Sequence, residues 1–150
     1  MRKILVPVDG SDVSIKAAEK AVSLGKLING ELTFITVITM PTEDKYARFG
    51  MNVEKQFSAN RKEMLNKLIQ QETKMLNIIV RNLDIEGLSV EQKVLVGTPA
   101  TEIIKLAESE NFDYIFIGKR GFSKFERFFV GSVTQKVISG APCPVIVVNG

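Results

Sequence analysis

Short apolar runs alternate along this chain with longer stretches in which apolar residues return every three or four positions. "KILVPV" at 3–8 is apolar almost throughout and predicts a buried strand. Residues 12–28 predict a helix, with Ile15, Ala18, Val22, Leu24, Leu27 and Ile28 on its apolar side and Gly30 just beyond its end. "ELTFITVI" at 31–38 is rich in β-branched and aromatic residues and predicts a second strand. A long helical pattern runs from about 53 to 83, where Phe57, Met64, Leu68, Met75 and Ile79 recur at steps of seven and four. A third strand follows at 90–96. A short helix follows at 98–109, with Thr98 as N-cap and Pro99 at its first position. "DYIFIG" at 113–118 predicts a fourth strand, a last helix begins near Ser132, and a fifth strand closes at 144–148. Residues 39–52 lack either period and read as a surface loop, with Tyr46 and Phe49 as its large side chains.

Strands that alternate with helices imply parallel pairing through crossovers. Nearly unbroken apolar strands imply a sheet covered on both faces. The expected fold is therefore a five-stranded parallel doubly wound α/β sheet, Rossmann-like, in the order 3-2-1-4-5, with residues 1–150 forming one domain.

Composition narrows the chemistry. The chain has no histidine and one cysteine, which excludes Ser-His-Asp and Cys-His nucleophile systems and a zinc site of the usual His/Cys kind. We expect no catalytic residue and no protein-built metal site. The net charge of +3 permits an anionic ligand but lacks the clustered basicity of a nucleic-acid binder. Lys119, Arg120, Lys124 and Arg127 read as a solvated loop beside a phosphate, not as a nucleic-acid surface. No apolar run approaches the ~20 residues of a membrane span. The opening apolar run is too short for a secretory signal, so we expect a cytoplasmic protein. Cys143 reads as a small buried hydrophobe.

Two segments carry unusual chemistry at strand ends: "PVDGS" at 7–11 and "GKRG" at 118–121. In the expected order their strands flank the reversal point, where ligands of such sheets bind. Gly118 and Gly121 would let the chain turn sharply and bring backbone N–H groups toward phosphate oxygens. Gly131 and Ser132 fall at the start of the last helix, whose first amides make an anion site. The hydroxyls of Ser132 and Thr134 would add donors. Asp9 also reads simply as a turn or cap residue. The full spacing is Gly-x2-Gly-x9-Gly-Ser. With glycine at about 7% of residues, chance would produce that spacing in such a chain about once in a hundred times or less.

At these residues, and along its whole length, the sequence resembles the universal stress protein family, in particular its ATP-binding branch. "KILVPVDGS", "VLVGTPATEIIKLAE", "DYIFIGKRG" and "GSVTQKVISGAPCPVIVV" carry the resemblance. It implies that Pro7, Val8 and Val37 line a base pocket, with Asp9 near the ribose or adenine. Gly118, Lys119, Arg120 and Gly121 would wrap ribose and phosphates. Gly131, Ser132, Val133 and Thr134 would hold the phosphates, and Gly97 would allow close approach at the third strand's end. The implied ligand is ATP, with Mg²⁺ carried by its phosphates. The implied assembly is a regulatory homodimer paired through the last strand. Pro142 and Pro144 at the start of that strand fit a sheet edge. The alternatives are a slow ATP-hydrolysing enzyme of the same superfamily and a dimeric interaction module that binds no nucleotide.

Overall fold

The computed structural model describes residues 1–39, 54–120 and 130–150, with side chains described from 60 onward in the second stretch. Five strands form one sheet: β1 (Lys3–Pro7), β2 (Glu31–Ile38), β3 (Ser89–Val96), β4 (Tyr114–Gly118) and β5 (Val145–Val148). All neighbours pair in parallel, in the order β3-β2-β1-β4-β5. The helices between them are α1 (Asp12–Ile28), α2 (Glu54–Arg81), α3 (Pro99–Ser109) and α4 (Ser132–Gly140). This is the expected Rossmann-like α/β fold with its expected strand order.

Side-chain alternation along the strands builds two cores. Ile4, Val6, Leu32, Phe34 and Phe116 face one way and pack on α1 and on Leu76, Ile79 and Val80 of α2. Leu5, Ile35, Ile115 and Ile117 face the other way, against Ala100, Ile103 and Ala107 of α3 and Val137 of α4. Phe34 and Ile35 are both fully buried, each contributing about 1.5–3 kcal/mol by leaving water.

The periodic reading of the helices needs two corrections. On α1 the buried stripe is Val13, Ser14, Ala17, Ala18, Ala21, Val22 and Gly25, whereas Leu27 is 84% exposed. Leu27 is apolar by type but stands on the solvent side of the last turn, whose Gly25 and Ile28 face the core. The left-handed residue that ends α1 is Asn29, not Gly30, and its N–H bonds to Gly25 O. Gly30 answers a different demand, since a Cβ there would stand 3.2 Å from Arg2 O. On α2, Ile79 is buried but Met64 is exposed. With 28 residues α2 is about 42 Å long, against about 26 Å for an eight-residue strand. Its buried contacts to the core among the described residues come from its last turns, at Leu76, Ile79 and Val80. The Phe57 side chain, Tyr46, Phe49 and the rest of residues 40–52, expected as a loop, lie outside what is described.

Strand order reverses between β1 and β4, because α1 leads from β1 to β2 on one side while β4 lies on the other. The carboxyl ends of β1, β2 and β4 therefore open onto one region, bounded by the first turns of α1, α3 and α4.

Candidate functional site

β1 ends at Pro7, and the next residue, Val8, gives its N–H to Ile35 O at 2.8 Å. Beyond it the chain turns at Asp9 and Gly10, and Gly10 adopts φ +87°. Asp9 closes that turn on itself. Its Oδ1 accepts from Ser11 N at 2.9 Å and from Ser11 Oγ at 2.5 Å. Ser11 is the N-cap of α1 and its hydroxyl oxygen accepts from Ser14 N. Asp9 is thus the turn residue of "VDGSD", and the cap is Ser11.

β2 runs further than β1. Ile35 turns its carbonyl toward β1, while Ile38 turns its own toward β3 and accepts from Gly97 N. By the strand alternation Val37 turns its N–H and C=O toward the β1 side, where β1 has already ended. Its backbone donor and acceptor on that side have no partner among the described residues, and Val37 lines the cleft described below.

β4 ends at Gly118, and the reason for glycine is packing. A Cβ would come within 2.7 Å of Val13 Cγ1 and 3.2 Å of the Val13 carbonyl carbon. Gly118 therefore lets the first turn of α1 lie directly on the strand's end, a close approach within the protein instead of toward a ligand. The chain then leaves and returns: Lys119 N bonds to Val148 O, and Gly131 N bonds to Lys119 O at 2.9 Å. Gly131 also sits tightly, 3.2 Å from Arg120 Cα to where its Cβ would stand. Gly121, Lys124 and Arg127 lie outside the described residues.

Gly131 is the N-cap of α4 and offers no side chain to the helix start. The N–H groups of Ser132, Val133 and Thr134 have no acceptor among the described residues. The Thr134 hydroxyl corrects the sequence reading: it donates to Gly118 O at 2.8 Å and is buried. Its donor is committed to tying α4 onto β4, so it positions the amides without adding to them. The Ser132 side chain is exposed.

These pieces border one cleft of about 390 Å³, within the size range of small-molecule sites. Of the predicted residues, Pro7, Val8, Asp9, Val37, Gly118, Arg120, Gly131, Ser132, Val133 and Thr134 line it. Lys119 and Gly97 do not. Gly97, at φ +152°, makes room for the Glu102 side chain, which would lie 2.7 Å from a Cβ. Sequence reasoning missed Ser14, Ile35, Thr36, Pro99, Ile103 and Ile117. Pro99 and Ile103 stand four apart on the apolar side of α3, a signal that cannot tell core from ligand wall.

The cleft is chemically divided. Ile35, Val37, Pro99, Ile103, Ile117 and Val133 make an apolar slot, whereas Arg120 and the free α4 amides make a positive end. Asp9 is the one carboxylate lining it among the described residues. No group of three His, Cys, Asp or Glu that could hold a metal exists among those residues. Cys143 is half-buried near β5, and burial, then the Asp113 carboxylate, raises its thiol pKa.

Comparison with known proteins places this arrangement. The model of the universal stress protein family matches residues 1–149. This chain belongs to that family. A curated relative, universal stress protein MJ0531 of Methanocaldococcus jannaschii, is 33% identical over 99% of this chain and 82% of its own length. Among solved structures, the hypothetical protein MJ0577 of the same organism is 31% identical with a TM-score of 0.80, covering 99% of this chain and 96% of that one. The universal stress protein of Archaeoglobus fulgidus, solved in complex with dAMP, is 26% identical with a TM-score of 0.57, covering 99% and 98%. Among the described residues no helix is long and apolar enough to cross a membrane.

Proposed function

We propose that this universal stress protein binds an adenine nucleotide, ATP foremost, in the cleft at the carboxyl ends of β1, β2 and β4. The observation that carries the reading is the start of α4. Three backbone amides with no acceptor among the described residues, and Arg120, border a cleft that an apolar slot also lines. Such a helix start, with its dipole, suits phosphate oxygens. The slot suits a flat purine. Val37, with an N–H and a C=O side by side that have no partner among the described residues, suits the donor and acceptor on an adenine edge. The A. fulgidus relative, whose structure holds dAMP, supports the same ligand class.

Magnesium would come with the phosphates. The described residues supply no cage for it, and magnesium commonly keeps phosphate and water oxygens as its ligands. The protein acts as a cytoplasmic regulatory homodimer joined at β5. That strand pairs with β4 on one side only, and Pro142 and Pro144 mark its beginning. An apolar edge of this kind is covered best by a second copy.

Native mass spectrometry of the purified protein tests the ligand, followed by calorimetry with ATP, ADP and AMP in magnesium buffer. The expected result is a co-purified adenine nucleotide and saturable ATP binding. A protein that carries no nucleotide and gives no heat with any of the three sinks the reading and leaves the nucleotide-free interaction module.

A further inference from the structure

Ser14 is a cleft-lining polar side chain that the nucleotide reading leaves without a task. It is 6% exposed, inside the first turn of α1, where a serine has no propensity advantage. Its hydroxyl donates to Ser11 O at 2.9 Å and accepts from Asp9 N at 3.3 Å. Its own N–H donates to Ser11 Oγ at 3.3 Å, and that hydroxyl in turn donates to Asp9 Oδ1. Ser14 N also lies 3.3 Å from where a Gly118 Cβ would stand, so the same residue touches the opposite wall.

We propose that Ser14 is a positioning residue that sets the Asp9 carboxylate for the nucleoside. Asp9 itself is exposed, and a carboxylate on an exposed turn is free to change rotamer unless something fixes it. Ser11 fixes one oxygen and is held in turn by the Ser14 backbone N–H, while the Ser14 hydroxyl holds the Ser11 carbonyl. The bond from Asp9 N to Ser14 Oγ fixes the backbone that carries it. Oδ1 takes both bonds from Ser11, which leaves Oδ2 to accept from a hydroxyl or amine of the nucleoside. This inference rests on the nucleotide reading and adds that nucleoside recognition is built two residues deep.

The test is a double-mutant cycle of Asp9→Ala and Ser14→Ala, read by ATP calorimetry, with competition by inorganic tripolyphosphate as a second readout. We expect each single change to weaken ATP binding roughly five- to tenfold, the size of one lost hydrogen bond or slightly more, and the double change to be no weaker than Asp9→Ala. Tripolyphosphate, which lacks a nucleoside, should bind Ser14→Ala as it binds the wild type. Effects that multiply in the double variant, or an equal loss for tripolyphosphate, would show that Ser14 only supports the fold and would overturn the proposal. Ser14→Cys keeps the volume and gives up most of the hydrogen bonding. It should weaken ATP binding without moving tripolyphosphate, and serves where Ser14→Ala fails to fold. A wild-type protein that binds no adenine nucleotide overturns the nucleotide reading itself, and this one with it. Binding in the wild type that Ser14→Ala and Ser14→Cys leave unchanged overturns this one alone.

Discussion

Two helices begin at the same cleft and are finished in opposite ways. α1 starts with Ser11, whose side chain accepts from Ser14 N, and Asp9 folds back to hold Ser11 in turn. α4 starts with Gly131, which has no side chain, and leaves three amides without an acceptor among the described residues. A serine or aspartate at the N-cap is worth about 1 kcal/mol over alanine and a few tenths of a kcal/mol over glycine. The chain secures that gain at α1 and forgoes it at α4. Under the nucleotide proposal, the difference makes the α1 start a fixed wall and the α4 start the place for the phosphates. Gly118 and Thr134 join the two: Gly118 lets α1 lie on the end of β4, and Thr134 bonds α4 to the carbonyl of that same glycine.

The most forceful way to break the contrast is to cap α4. Gly131 has φ −59° and ψ 153°, a backbone that aspartate adopts freely at an N-cap. The Gly131→Asp carboxylate would take the free amides and repel phosphate. Its Cβ, 3.2 Å from Arg120 Cα, needs only a small shift. We expect ATP affinity to fall by about a hundredfold or more, from the lost amides and the added like charge together. Stability should change by less than about 1 kcal/mol, because the cap gain offsets the crowding. Calorimetry and urea unfolding on the same preparation check both halves. Undiminished binding would mean that the α4 amides hold no phosphate.

Next in size is Thr134→Val, which keeps the shape and removes the tie to β4. Gly118 O would lose a buried donor, at a cost of about 1–3 kcal/mol. Because α4 is then less firmly seated, ATP binding should weaken as well, which a direct phosphate role for the hydroxyl would not require of stability. Loss of binding with full stability would return Thr134 to the role of phosphate donor.

Ser132→Ala sharpens the contrast from the other side. Its side chain is exposed and its backbone N–H is unchanged by the substitution. If amides carry the anion, affinity should drop by about 1 kcal/mol or less. A drop of several kcal/mol, measured by calorimetry, would move the load from backbone to side chain.

The order of elements, and hence the place of the cleft, was legible because period and strand chemistry depend on local sequence. The start of α1 at Asp12 and the N-terminal proline of α3 were legible for the same reason. What was not legible depends on contacts between distant segments. The sequence marks Gly118 as special but cannot say that its neighbour is Val13 instead of a phosphate. It offers the Thr134 hydroxyl as a donor but not the carbonyl, sixteen residues away, that takes it. Pro99 and Ile103 look like core because a ligand wall and a core face have the same period. Leu27 misled because an apolar side chain was counted with the stripe although it stands on the solvent side of the last turn, between buried Gly25 and half-buried Ile28.

The smallest expected effect comes from the amino end of the sheet, where no helix begins at the cleft. There Asp113 accepts from Lys3 N at 2.8 Å and pairs with Arg2 at 3.3 Å, while Lys3 Nζ reaches Glu110 O and lies over the Phe112 ring. The Lys3 backbone N–H, and then Arg2, lower the Asp113 pKa below its ordinary 3.8. A carboxyl held lower in the folded state adds stability above its unfolded pKa and loses it as pH falls through the folded one. The Asp113 side chain is 31% exposed and its partner 65%, so screening leaves about half a kcal/mol or less. Asp113→Asn should therefore cost about that much at pH 7, and the gap to wild type should close as pH drops below about 4 in urea titrations. ATP affinity at pH 7 should not change, since the residue lies at the opposite end of β4 from the cleft. A change in affinity would mean that β4 transmits strain along its length to the cleft.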